Sequence, residues 1–289
     1  MSYINQVCTI GPSRVYFEQA KYKESLAGHM GIKKEDFIWP ELLFEEAWAS
    51  FYLGNYNRTL GKLVTYRSPF LNHIFNPEVE ILEALSMLEL CRWNDVKKIT
   101  DEFDAKYERG FYLLKKFVKR FNGKLSRVGN LARSFGEGKT LRNEFLNRVL
   151  LSITRDLAFK RYFGNLKNIE AELNLLRNVT DRRERKELAR DLSNARQHQI
   201  RILGQYFSRM INRSKNLLQK AMQGMSYIKL ELLRHKKEVL FGNRVEKGVV
   251  GDLKNVQRND KQYLWDFDGE FWADELGDYV YSLESSCGE

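Results

Sequence analysis

The chain has 289 residues, 48 Lys and Arg against 38 Asp and Glu, and is 43% hydrophobic and 13% aromatic. That composition excludes a disordered chain, which lacks the apolar surface to build a core. No apolar run approaches the roughly 18 residues of a membrane span, and the opening MSYINQVCTIGPSR lacks the order of a secretory signal, so the sequence as given reads as cytoplasmic. Cys8, Cys91 and Cys287 form no close pair or CxxC, which argues against a disulfide framework or structural zinc.

The charge is unevenly spread. Residues 1–110 carry 13 basic and 16 acidic side chains, residues 111–260 carry 34 and 14, and residues 261–289 carry 1 and 8. A basic middle between acidic ends can meet nucleic acid, an anionic membrane surface or an acidic protein segment, including the chain's own tail. All four prolines (12, 40, 69 and 77) lie within the first 77 residues, which leaves the remainder free for long helices. No segment alternates with period two between turn signals, so the predicted fold is all-α.

Residues 1–122 read as three helical hairpins and a capping helix. Phe17–Tyr22 matches Phe51–Tyr56 at an offset of 34, and Leu88–Trp93 follows 37 further on. In register the turn residues are Ala20, Gly54 and Cys91, each followed two positions later by an aromatic: Tyr22, Tyr56 and Trp93. Small residues precede the turns (Ser13, Ala47, Ala84) and compact ones follow them (Ser25, Thr59, Val96), a pattern that lets paired helices approach closely. FYLLKKFVKRF at 111–121 has one apolar face and suits a helix that closes the stack.

Residues 123–139 are glycine-punctuated and basic and are predicted to form a hinge, with a helix starting at Thr140. Residues 140–178 and 184–241 then read as two long helices forming a coiled-coil-like hairpin within 140–245, the first broken near Gly164 and the second capped by Asp181. Its seam is Ile200, Leu203, Phe207, Met210, Ser214, Leu217, Ala221, Met225, Ile228 and Leu232. The same seam could pair two chains into a homodimer.

Chemical motifs are sparse. Gly136-Glu137-Gly138-Lys139-Thr140 lacks the first glycine of a phosphate loop, because position 133 is Arg, and no buried strand precedes it. The four histidines are scattered, no nucleophile elbow occurs, and no catalytic residue, metal site or cofactor is predicted. Residues 246–289 form an acidic-aromatic tail, in which Trp265, Phe267, Phe271 and Trp272 are expected to dock on helices while neighbouring acids meet the basic block. The basic surface is assigned to Arg196, Arg201, Arg209, Arg213 and Lys220 of an acid-free stretch.

The hairpin register resembles the tetratricopeptide repeat, a helix–turn–helix unit that stacks into an α-solenoid. EEAWASFYLGNY at 45–56, LCRWND at 90–95 and WDFDGEFWADELGDY at 265–279 give the whole layout a resemblance to tetratricopeptide proteins of gliding and predatory bacteria. That resemblance implies a non-enzymatic scaffold of envelope-associated motility machinery, and a periplasmic or envelope location if the N-terminus is truncated. In such arrays first helices line a groove, here Glu41, Phe44, Trp48 and Tyr52, then Glu78, Ile81, Leu85 and Glu89. An apolar and acidic groove predicts a peptide or an amphipathic helix with a basic edge as partner. Binding of nucleic acid or anionic membrane through residues 111–260 is the alternative.

Overall fold

A computed structural model describes residues 3–29, 32–241 and 267–287, and every regular element among them is helical. Ten α-helices run in chain order: α1 (Tyr3–Glu18), α2 (Tyr22–Ala27), α3 (Trp39–Tyr52), α4 (Tyr56–Val64), α5 (Glu78–Glu89), α6 (Trp93–Phe121), α7 (Leu125–Gly136), α8 (Glu144–Thr154), α9 (Leu157–Leu175) and α10 (Arg182–Phe241). They form two compact units: Met1–Asp104 with Ala221–Glu289, and Ala105–Lys220. None of the described helices is long and apolar enough to cross a membrane.

In the first unit, α1/α2, α3/α4 and the pair begun by α5 and α6 each turn on a residue in the left-handed region. These residues are Ala20 (φ 58°), Gly54 (73°) and Cys91 (54°). Each turn closes with the same six-residue bond, at 2.9 Å: Lys21 N to Tyr16 O, Asn55 N to Ser50 O, and Arg92 N to Met87 O. This is the Schellman closure, which satisfies orphan carbonyls at a helix end. Ser13, Ala47, Ala84, Ser25, Thr59 and Val96 are all buried where the helices approach, and Thr59 Oγ1 donates to Ala47 O at 3.3 Å. Ala47, Leu63, Val79 and Leu82 form one core cluster, and Trp39, Leu43, Leu71 and Leu276 form another.

The expected capping helix is not separate, because α6 runs unbroken from Trp93 to Phe121. Gly110 lies within it, and Phe145 occupies the space that a side chain there would need.

The second unit departs further from the sequence reading. Instead of a hinge, residues 125–136 form α7, with Val128, Gly129, Ala132 and Phe135 buried. Leu125, Val128, Ala132 and Phe135 step by 3, 4 and 3, an apolar face that the surrounding glycines and bases disguise. Gly138 (φ 86°) terminates α7 with Lys139 N bonded to Ser134 O, so the GEGKT segment serves as a helix stop. The next helix starts at Glu144, not Thr140, with the Asn143 side chain accepting from Leu146 N at 2.9 Å.

The break in residues 140–178 falls at Arg155–Asp156, where Asp156 caps α9; Gly164 is inside α9. Asp181 does cap α10, accepting from Arg183 N at 2.7 Å and Glu184 N at 2.9 Å. The buried stripe of α10 within this unit is Ile200, Leu203, Phe207, Ile211 and Leu218, so Met210, Ser214 and Leu217 are only half-buried. The interval from 200 to 211 is eleven residues in three turns, close to the natural period of a straight helix and unlike a heptad seam. At its centre α7 and α10 cross in near-contact. A Cβ on Gly204 would lie 2.0 Å from Leu125 O, and one on Gly129 would lie 2.0 Å from Ile200 O.

Candidate interaction surfaces

The first surface is built by α3. Phe44, Trp48 and Tyr52 recur every four residues and therefore form one row on the helix. Trp48 stacks on Tyr52 (5.7 Å between centroids), Tyr52 on Tyr22 (4.9 Å), and Phe44 meets Trp48 edge-on (6.4 Å). Tyr52 is 52% exposed; Phe44 and Trp48 are half-buried against the Ala47–Leu82 cluster. Glu41 and Glu45 border the row, and both accept from Arg14, at 2.9 Å to Nη2 and 2.9 Å to Nε respectively.

The remaining groove positions do not extend this open face. Ile81 is buried, facing Gly224 of α10. Leu85 is half-buried; Glu78 is half-buried at the start of α5, and Glu89 is exposed, accepting from Tyr56 Oη at 3.4 Å. The groove is thus open at α3 and filled by α10 at Ile81. Sequence periodicity gives no sign of this, because the covering residue lies 143 positions further along the chain.

Behind the α3 row sits a buried polar group. Glu46 Oε1 lies 3.5 Å from His29 Nδ1, and Oε2 accepts from Lys62 Nζ at 2.5 Å. Burial works against the Glu46 charge, but the His29 ring and the Lys62 ammonium outweigh it and hold the carboxyl below its ordinary value.

The second surface is the seat of the C-terminal segment. The contacts described for residues 271–287 lie within the first, acidic unit and not on the basic block where the tail's acids were expected. Trp272 (60% exposed) and Phe267 (52%) stay in solvent; Trp265 lies outside the described residues. Phe271 and Tyr279 are half-buried, and with Phe267 they form a ring cluster of their own (5.2–5.7 Å). Phe271 and Tyr279 also pack against the buried cluster of Trp39, Leu43 and Leu71, of which Leu276 is the fourth member, so Phe271 is the expected aromatic that does dock on the helices. Lys34 anchors the outer edge, pairing with Asp278 at 2.7 Å and donating to Asp274 O.

From Gly277 the segment runs as an extended strap along α4. Gly277 N donates to Thr65 Oγ1 at 3.0 Å. The Tyr279–Val280 peptide lies directly on Gly61, where a Cβ would be 1.7 Å from Tyr279 O. Tyr281 N donates to Asn57 O at 3.1 Å, and the Asn57 carboxamide bonds both main-chain groups of Leu283, Nδ2 to O at 2.9 Å and Oδ1 from N at 3.0 Å. Ser286 N reaches Leu90 O at 2.9 Å. The strap ends in a disulfide between Cys287 and Cys91, with Cα atoms 5.0 Å apart and 196 positions between them in sequence. Contrary to the expectation from spacing, these cysteines are bonded, since separation in sequence says nothing about a segment that folds back. Cys8 is free and exposed.

The third surface belongs to the second unit, which carries 28 Lys and Arg against 10 Asp and Glu. Arg201, Arg209, Arg213 and Lys220 are exposed on α10. Arg196 is not part of a free surface, because its Nε donates to Glu170 at 3.1 Å. Glu170 also meets Arg133 at 3.2 Å, and Glu137 meets Arg133 and Lys167, each at 3.0 Å, so these carboxylates are already engaged within the unit. Compared with family models, curated proteins and solved structures, the chain matches none.

Proposed function

We propose that the chain is a non-enzymatic protein-interaction scaffold whose first unit is a tetratricopeptide-like array. The observation that carries this reading is the half-open Phe44–Trp48–Tyr52 row with its acidic border, set on hairpins that share one Schellman-closed turn. Aromatic anchors beside desolvated neighbours are the usual centres of binding energy. The fitting ligand is an amphipathic helix that lays apolar residues on the row and a Lys or Arg beside the exposed Glu41 carboxylate at its border. The Cys91–Cys287 disulfide favours an oxidising compartment, consistent with the envelope association that the sequence resemblance implies.

A panel of synthetic basic amphipathic helices, followed by fluorescence anisotropy, tests the reading. Tyr52→Ala should weaken the best binder about fivefold or more, because more than 1 kcal/mol is typical for such an anchor. Equal binding by wild type and variant, or none across the panel, would reject the α3 row as the site.

A second reading is favoured by one feature of the second unit. Arg201, Arg209, Arg213 and Lys220 span about 29 Å of α10 at 1.5 Å per residue. The large exposed hydrophobics of α10 lie outside the interval between Leu188 and Tyr227. A helix seated on a membrane surface needs an apolar wedge, whereas phosphate backbones are held by Arg, Lys, Asn and Gln. Nucleic acid is thus the fitting anion, with binding that falls steeply as salt rises.

A further inference from the structure

Asn57, Gly61 and Thr65 are spaced by four residues and present one face of α4 and its following turn. Each meets the strap through the main chain. Thr65 accepts an amide, Gly61 leaves room for a peptide group, and Asn57 brackets both polar groups of Leu283. A side-chain amide bonded twice to one residue's backbone reads extended conformation, not side-chain identity. The strap therefore sits as a peptide ligand sits in an extended-peptide site. Cys91, at the far end, supplies a covalent latch.

Two further facts concern which peptide can occupy this site. The strap is joined to α10 through residues 242–266, and 25 residues can span at most roughly 85 Å. The same strap on another copy carries the identical main-chain donors and acceptors, the same Leu276 plug and the same terminal thiol. Exchange of an identical element between copies is a low-cost route to a dimer.

We propose that the Asn57–Gly61–Thr65 face is an extended-peptide site whose partner in trans is the strap of a second copy, giving a strap-exchanged dimer sealed by Cys91–Cys287 bonds between chains. This goes beyond the scaffold reading and does not depend on the α3 row. The chemistry is disulfide exchange with a small thiol such as glutathione. Its thiolate attacks Cys287 Sγ, the Cys91–Cys287 bond breaks, and Cys91 leaves as thiolate. After the strap has moved, Cys91 of the other chain attacks Cys287 Sγ in that mixed disulfide and expels the small thiol. Two bonds within chains become two bonds between chains, with the thiol regenerated and no net oxidation.

The test uses full-length chains in a Cys8→Ser background. One form carries Cys287→Ser and keeps Cys91; the other carries Cys91→Ser and keeps Cys287. Mixed in a glutathione redox buffer, they should give a disulfide-linked heterodimer on a non-reducing gel, with a Cys91–Cys287 peptide pair in mass spectrometry. Asn57→Ala in the Cys91-bearing chain removes two hydrogen bonds and should lower the yield about tenfold. Gly61→Val should abolish it, and a synthetic peptide of residues 267–286 should compete. Circular dichroism verifies that each variant is folded, and the peptide competition needs no variant of α4. Glutathione adducts of monomers alone would overturn the proposal. So would a heterodimer indifferent to Asn57→Ala and to the peptide, because that pattern is random thiol collision.

Discussion

Cys287→Ser removes the latch and leaves the remaining strap contacts intact. The bond closes a loop of 196 positions, for which chain-entropy bookkeeping gives about 5 kcal/mol. Of those positions, 116 belong to the second unit, so if that unit stays folded about 80 remain flexible. The dependence is logarithmic, and the figure falls only to about 4.5 kcal/mol. Measured losses are usually about 2–4 kcal/mol, because the unlinked denatured chain keeps some structure. The assay is favourable, since Trp39, Trp48, Trp93, Trp265 and Trp272 all belong to the first unit and none to the second. Urea unfolding followed by tryptophan emission therefore reports on the latched unit alone. Wild type in excess reductant should superimpose on Cys287→Ser. A loss below about 1 kcal/mol, with the wild-type bond verified by mass, would refute the view that the latch restrains the unfolded first unit.

Three other outcomes follow from the packing and charge. Gly204→Ala should cost about 1–3 kcal/mol in urea unfolding of the second unit, because its Cβ meets backbone atoms of α7 that cannot rotate away; a shift of a few tenths would place the crossing elsewhere. Glu46→Gln should destabilise the first unit by about 1–3 kcal/mol at pH 7. The folded-state pKa of Glu46 is depressed, so its contribution is complete above the ordinary glutamate value of about 4.3 and is lost as pH falls through the lower folded value. The gap between wild type and variant should therefore close below about pH 4, and a gap that widened there would contradict the assignment. Finally, Cys287→Ser should leave heparin retention unchanged, because the strap contacts lie on the acidic unit; later elution would show that the tail does screen the basic surface.

The helical class and the three turn positions were legible in the sequence because local chemistry dictates both. A Schellman turn needs a left-handed residue, and the offsets of 34 and 37 lead to Ala20, Gly54 and Cys91 even though only one of them is glycine. Helix α7 and the Asp156 cap were also written locally, as a 3–4–3 apolar step and an Asp before Leu-Ala-Phe, but the glycines and bases around α7 resembled a linker. The contacts of Gly61, Gly129 and Gly204 were not legible. A glycine inside a helical pattern signals close approach without naming what approaches. The tail's aromatics account for only part of its docking: Phe271 packs on the Trp39 cluster, whereas Leu276 and the main-chain groups held by α4 carry no pattern that marks them in the sequence. Likewise, the α3 row was visible as a period of four, while the cover over Ile81 comes from a helix distant in sequence.

The way α4 holds the strap has a consequence for how this protein can change over generations. Val280 and Ser282 make no side-chain polar contact described for the seat, so substitutions there are tolerated by that seat. Asn57, Gly61 and Thr65 have no such freedom, since a different residue at any of them removes a bond or blocks the peptide plane. Divergence should therefore erase the tail's text before the helix that grips it. Among distant descendants, Asn-x3-Gly-x3-Thr on a short helix, paired with a cysteine at the next left-handed turn, would be the more durable signature of common ancestry.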